Sequence, residues 1–227
     1  MSAYKQLKAF ADRGEPIGPG ADASEPWQVR GLDLATARQA AVLILFGHLD
    51  DRPSRTHSAV VPDDLDLLFV TRAGTLRSHP GQVAFPGGRI DDDDAGPTAA
   101  ALREAEEETG LDPTGVEILG VLPQAGLPLS NYLVTPVLGW WASPTPVRVV
   151  DHAESSHVFR APVADLLSAD ARFTAVVRRN GRKHSTPAFS IDDIIIWGFT
   201  GLLLSRLFDG LGWTQPWDES LERDAPL

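Results

Sequence analysis

The chain has 227 residues, 43% of them apolar, which suits one domain of generous size or, at most, two small ones. A formal net charge of −11 argues against a general nucleic-acid binder, because such proteins present a basic face. Cysteine is absent, which excludes disulfides, zinc–thiolate sites and thiol nucleophiles and leaves the redox compartment open.

Residues 1–34 mix Gly, Pro, Ala and charge without sustained periodicity and read as a partly flexible arm, with one short helix over Tyr4 to Ala11. They show no basic segment leading into an apolar run, so they do not read as a signal peptide. The main domain is expected over residues 35–211. Ala40 to Phe46 is short and apolar throughout, the mark of a buried strand, and Leu65 to Thr71 gives a second. Gln82 to Phe85 is a brief extended piece before a Pro-Gly-Gly turn. Thr98 to Thr109 is predicted as a helix, capped by Thr98, with Ala99, Leu102 and Ala105 on its buried side. Strands follow over Val116 to Leu122, Tyr132 to Trp141 and Val158 to Ala161, then a helix from Pro162 to about Ser168. Phe173 to Arg178, Pro187 to Ile191 and Ile194 to Trp197 look extended, and Thr200 to Phe208 is an apolar helix. From Gly212 the chain is expected to be a loose acidic tail, residues 212–227. Strands interleaved with a few helices predict an α/β fold, a mixed sheet covered by helices on both faces.

No stretch reaches the apolar length of a membrane span. Ile194 to Phe208 comes nearest but contains Gly198, Thr200, Gly201, Ser205 and Arg206. The expectation is a soluble cytoplasmic protein without membrane or nucleic-acid partners. The oligomeric state stays open, a homodimer included.

The most informative stretch is Gly87-Gly88 followed by Arg103-Glu104-Ala105-Glu106-Glu107-Glu108-Thr109-Gly110-Leu111. On a helix, residues three and four apart are neighbours, so Glu104, Glu107 and Glu108 are expected to converge. Clustered like charges repel and raise one another's pKa, and the usual compensation is a hard divalent cation with oxygen ligands, Mg²⁺ or Mn²⁺. Such a site suits phosphoanhydride chemistry. A glutamate-rich helix is more often a solvated face. Here Arg103 is an i,i+4 partner for Glu107, glycines precede the run, and Gly110 can end the helix just past it. Arg72, Arg77, His79, Arg89 and Arg103 add local positive charge to an acidic chain, as a polyanionic ligand requires.

The segment resembles the box of the Nudix hydrolases: Gly, five residues, Glu, seven residues, then Arg-Glu-apolar-any-Glu-Glu-any-Gly-apolar. Arg103 to Leu111 match at every specified position, whereas fourteen residues separate Gly88 from Arg103, one more than the pattern has. The acidic run Asp91 to Asp94 fills the loop where the first glutamate would lie and reads as solvated; no ligand role is carried onto it. Leu67 to Gly88 looks like the added signature of the coenzyme A diphosphatase branch, anchored by Arg77, His79, Gly81, Val83 and Phe85 to Gly88. Ala73 there takes the place of a usual serine. Glu154 to Phe159 is similar to a further segment of that branch, with Ser155 in place of valine and His157 in place of an acidic residue. Ile196-Trp197-Gly198-Phe199-Thr200 is similar to another, and Trp197 reads as core rather than as an adenine platform.

The resemblance implies a Nudix-type α/β/α sandwich and cleavage of the diphosphate of coenzyme A or its derivatives to adenosine 3′,5′-bisphosphate and 4′-phosphopantetheine. It implies Mg²⁺ or Mn²⁺ on Glu104, Glu107 and Glu108. Either Glu104 or Glu154 serves as general base, Arg103 orients Glu107, and Arg72, Arg77, His79, Gly87 and Gly88 meet the substrate. Hydrolysis of ADP-ribose or another nucleoside diphosphate derivative is the alternative, and a catalytically silent nucleotide-binding module is a third reading.

Overall fold

A computed structural model describes residues 1–14, 32–48, 54–75, 80–127, 130–179 and 181–226. In chain order it contains α1 (Ala3–Arg13), β1 (Arg38–His48), β2 (Leu65–Arg72), β3 (Val83–Ala84), β4 (Gly87–Arg89) and α2 (Pro97–Thr109). Next come β5 (Val116–Val121), β6 (Ala125–Leu127), β7 (Tyr132–Trp141), β8 (Ser155–Pro162) and α3 (Val163–Leu167). The chain finishes with β9 (Arg172–Arg179), β10 (Arg182–Ile191), β11 (Ile194–Ile196), α4 (Gly198–Leu211) and β12 (Glu222–Asp224).

The apolar run that predicts β1 makes it the centre of the main sheet. β1 pairs in parallel with β7, from Arg38 opposite Tyr132 to Phe46 opposite Trp140. Its other edge is shared by β2 and β4, both antiparallel to it. With β3 and β8 on β2, and β5 and β6 on β7, the described residues form a mixed sheet of eight strands. Successive β1 side chains alternate between its faces, as strand geometry demands. Ala41, Leu43 and Leu45 meet Ala100, Ala101 and Ala105 of α2, with Leu68, Val137 and Trp141. Ile44 and Phe46 join Leu67, Phe69 and Leu138 on the opposite face, packed with side chains of α1, α3 and α4. Helices on both faces of a mixed sheet are the predicted α/β/α sandwich.

Several expectations are corrected. The last expected strands belong to a second, four-stranded sheet in the order β11, β10, β9, β12. The sequence hides this, because alternation reports a pleat and not which sheet owns it. α1 is no free arm: Leu7 and Phe10 are buried in the core, and Tyr4 donates from its hydroxyl to Glu117 at 2.6 Å. The tail is not loose where it is described. Trp213 is fully buried, edge-on to Phe46 with its Nε1 donating to Gln6 Oε1 at 2.7 Å, and β12 pairs in parallel with β9. Pro-Gly-Gly does not simply turn, since Gly87 to Arg89 extend as β4. Finally, α2 begins at Pro97 after Gly96, so Thr98 lies inside the helix and is no cap. Its fully buried alanines are Ala100, Ala101 and Ala105, while Ala99 and Leu102 are only partly covered.

Candidate active site

The site starts from how closely two chains approach. Pro86 O accepts from Leu43 N at 2.8 Å and Gln39 O from Ile90 N at 3.0 Å, which pins β4 along β1. A Cβ on Gly87 would stand 2.3 Å from Ala41 O, and one on Gly88 would stand 2.5 Å from the Glu104 carboxylate. Backbone therefore bars any side chain at Gly87, while one at Gly88 would push the Glu104 carboxylate aside. α2 lies across this point because alanines on its buried side let it settle near the sheet. Gly110 ends it in the left-handed conformation, φ 68°, returning its N–H to Glu106 O at 2.8 Å as the sequence predicts.

Helical spacing then brings Glu104 and Glu108 against the glycines. Glu108 is 6% exposed, and its Oε2 accepts from Gly87 N at 3.0 Å. Burial raises its carboxyl pKa to about 7, reinforced by the charges of Glu104 and Glu154 and opposed by the Gly87 hydrogen bond and Arg72. Burial also raises Glu104, against hydrogen bonding and charge from Arg103. Glu154 sits in an exposed turn just before β8, within electrostatic range of both.

Arg103 organises the helix flank. Its Nη1 donates to Glu104 Oε1 and to Glu107 Oε2, each at 3.0 Å. Its Nε and Nη2 grip the two oxygens of Asp94 at 3.1 and 3.0 Å, and Nη2 also donates to Arg89 O at 3.1 Å. The expected Arg103–Glu107 pair is therefore present. Glu107, however, leans out to solvent on Arg103 instead of joining Glu104 and Glu108 against the glycines. Among the described residues no three acidic or histidine side chains already meet as a metal cage. Glu104 lies within electrostatic range of Glu107, Glu108 and Glu154, all hard oxygen donors, and Glu104 and Glu108 are partly desolvated. That donor chemistry fits a hard divalent cation.

Asp94, expected to be part of a solvated run, instead has its side chain buried on Arg103. Its side chain is 7% exposed, and the hydrogen bonds from Arg103 hold its carboxyl below the usual range. Counting forward from Gly88, five residues precede it, which is the place of the first glutamate in the Nudix pattern; the extra residue lies between Asp94 and Arg103. Counting back from Arg103 conceals this. Arg72, at the end of β2, lies within electrostatic range of Glu108, whereas Arg77 and His79 lie outside the described residues. Trp197 is half-buried beside Phe173 and Ala188, in keeping with a core role. A cavity of about 330 Å³ beside Ser205 and Trp217 shares no residue with this cluster.

The NUDIX domain model matches residues 53–179, more than half of the chain. This chain belongs to the Nudix family. The Escherichia coli (strain K12) protein named uncharacterized Nudix hydrolase NudL is 40% identical over 141 residues, covering 62% of this chain and 72% of that one. A NudL of Shigella flexneri is 40% identical over 148 residues, covering 65% and 76%. The crystal structure of a MutT/nudix family protein from Enterococcus faecalis covers 92% of this chain and 74% of its own, with 14% identity and a TM-score of 0.47. As a Nudix hydrolase the protein acts on diphosphate bonds, an acid-anhydride chemistry for which the family generally needs divalent metal ions. No helix among the described residues is long and apolar enough to cross a membrane.

Proposed function

We propose that this Nudix hydrolase cleaves the diphosphate of coenzyme A and its derivatives, releasing adenosine 3′,5′-bisphosphate and 4′-phosphopantetheine or its acylated form. The observation that carries the site is the pair Glu104 and Glu108 lodged against Gly87–Gly88, with Glu154 and Arg72 in electrostatic range. What supports the substrate is the sequence leading into β4, Arg72, Arg77, His79, Gly81 and Val83, whose pattern resembles the coenzyme A branch.

Glu104 and Glu108, with Glu107 turned inward from its place on Arg103, would hold Mg²⁺ or Mn²⁺, which supplies neutralisation of the diphosphate and a lowered pKa for the attacking water. Glu104 or Glu154 takes the proton of that water as its oxygen attacks phosphorus in line. The bond from phosphorus to the bridging oxygen then breaks, and the bridging oxygen leaves on the other phosphate. Arg103 orients Glu107 and offsets the charge of the acidic turn. Arg72, Arg77 and His79 grip the phosphates, and Gly87 and Gly88 let the backbone approach them.

The test is selectivity. Coenzyme A, dephospho-coenzyme A and ADP-ribose are compared with Mg²⁺ or Mn²⁺, and the products are read by chromatography. Coenzyme A is expected to turn over fastest, because its 3′-phosphate gives the basic residues another anion to hold. Equal rates identify a generic nucleoside diphosphate hydrolase, and binding without turnover identifies a nucleotide-binding module.

A further inference from the structure

Arg72 closes β2 and Ser155 opens β8, and the two face each other in the antiparallel ladder, at a register shift between Thr71 and Arg72. The backbone on either side is tied down. Ala73 N donates to Glu154 O at 2.8 Å and Ser155 N donates to Asp151 O at 3.0 Å. Ser155 is 1% exposed, and its Oγ has no hydrogen-bond partner among the described residues. Arg72 Nε is likewise buried and unpartnered. An unmade hydrogen bond at a buried polar atom is costly and rare in folded proteins. Here a buried N–H and a buried hydroxyl stand on facing residues, a donor and an acceptor suited to each other. Packing alone would be served by alanine, which fits the same space and is free of that cost. The pair also sits at the rim of the acidic cluster, where Arg72 is within electrostatic range of Glu108.

We propose that Ser155 is a positioning residue for Arg72: its hydroxyl accepts the Nε–H when a diphosphate is engaged, fixing the guanidinium plane so that both terminal nitrogens face a phosphate. A guanidinium recognises phosphate through parallel N–H groups in a rigid fork, so holding Nε sets the direction of that fork. The inference rests on the reading of Arg72 as a phosphate contact. It does not depend on which molecule carries the diphosphate.

The test is calorimetric binding of inorganic pyrophosphate in the presence of Mg²⁺ to the full chain and its variants. Ser155→Val is expected to weaken binding about tenfold, the scale for losing a hydrogen bond that orients a charged group. Ser155→Ala, which cannot overfill the site, does the same, and Ser155→Thr, which keeps a hydroxyl, binds like the natural protein. In an Arg72→Ala background the Ser155→Val change has no further effect. A full, additive loss in that background, or Ser155→Thr binding as weakly as Ser155→Val, overturns the positioning role and leaves the Arg72 contact standing. Arg72→Ala binding as tightly as the natural protein, or no pyrophosphate binding by the natural protein, overturns both. Because pyrophosphate has neither nucleotide nor pantetheine, these outcomes are read independently of whether coenzyme A is hydrolysed.

Discussion

The two faces of the main sheet follow opposite plans. Toward α1, α3 and α4 the sheet presents Ile44, Phe46, Leu67, Phe69 and Leu138, sealed by Phe208 and Trp213, all of them buried. Toward α2 the sheet presents Ala41, Leu43, Leu45, Leu68 and Val137, but the helix answers with alanines, and the same helix carries Glu104 and Glu108 along its flank. Large side chains on the first face bury the most apolar surface. Small ones on the second bring the helix close enough for its carboxylates to reach Gly87 and Gly88. Stability is concentrated on one side of the sheet, and desolvated charge is accommodated on the other.

Truncation of the aromatic face sharpens this contrast most. Trp213→Ala removes a buried ring that stands edge-on to Phe46 and packs beside Phe208, and is expected to cost about 3–5 kcal/mol in urea unfolding. Diphosphatase activity per folded molecule should be unaltered. The acidic face answers to pH. Folding raises the Glu108 pKa from 4.5 to about 7, so between these values the native state keeps a proton that the unfolded state has released. The contribution of Glu108 to stability is therefore fullest below about pH 4.5 and falls as pH climbs to about 7, by on the order of 3 kcal/mol in the limit. Denaturation across this range in EDTA should show that slope in the natural protein and its absence in Glu108→Gln; parallel curves would remove the case for a buried, protonated Glu108.

Chemistry is tested by the same substitution. Glu108→Gln or Glu104→Gln should leave a folded protein whose metal-dependent turnover drops more than ~100-fold, about 2.7 kcal/mol of transition-state stabilisation. Near-normal turnover in either would withdraw its assigned role. The smallest effect is expected at Asp94. Asp94→Asn weakens the bidentate hold on Arg103, freeing it to press on Glu104, and should lower kcat by about tenfold with KM little changed. A change confined to KM would place Asp94 with the substrate instead.

Much of the helical site was legible because its signals are local. Glutamates four apart share a flank whatever else the chain does, and Gly110 ends the helix through its own backbone freedom. The Arg103–Glu107 contact follows from the same spacing. Asp94 escaped because its partner lies nine residues along the chain, across a loop whose path no periodicity fixes. The outward lean of Glu107 escaped for a related reason, since the choice between Arg103 and the glycine side depends on where β4 runs. β4 itself, the second sheet and the burial of Trp213 all arise from pairing between distant segments.

The amino-acid order alone determined the longer strands, the acidic helix with its stop, and the Nudix family to which they point, because apolar period and turn residues act within a few positions of themselves. Tertiary structure decided which carboxylates are desolvated, which cation each one meets, and that the chain's two ends, at Leu7 and Trp213, complete one core. Burial and electrostatic shifts are properties of the surroundings, and for these residues the surroundings are built from parts of the chain far away in sequence.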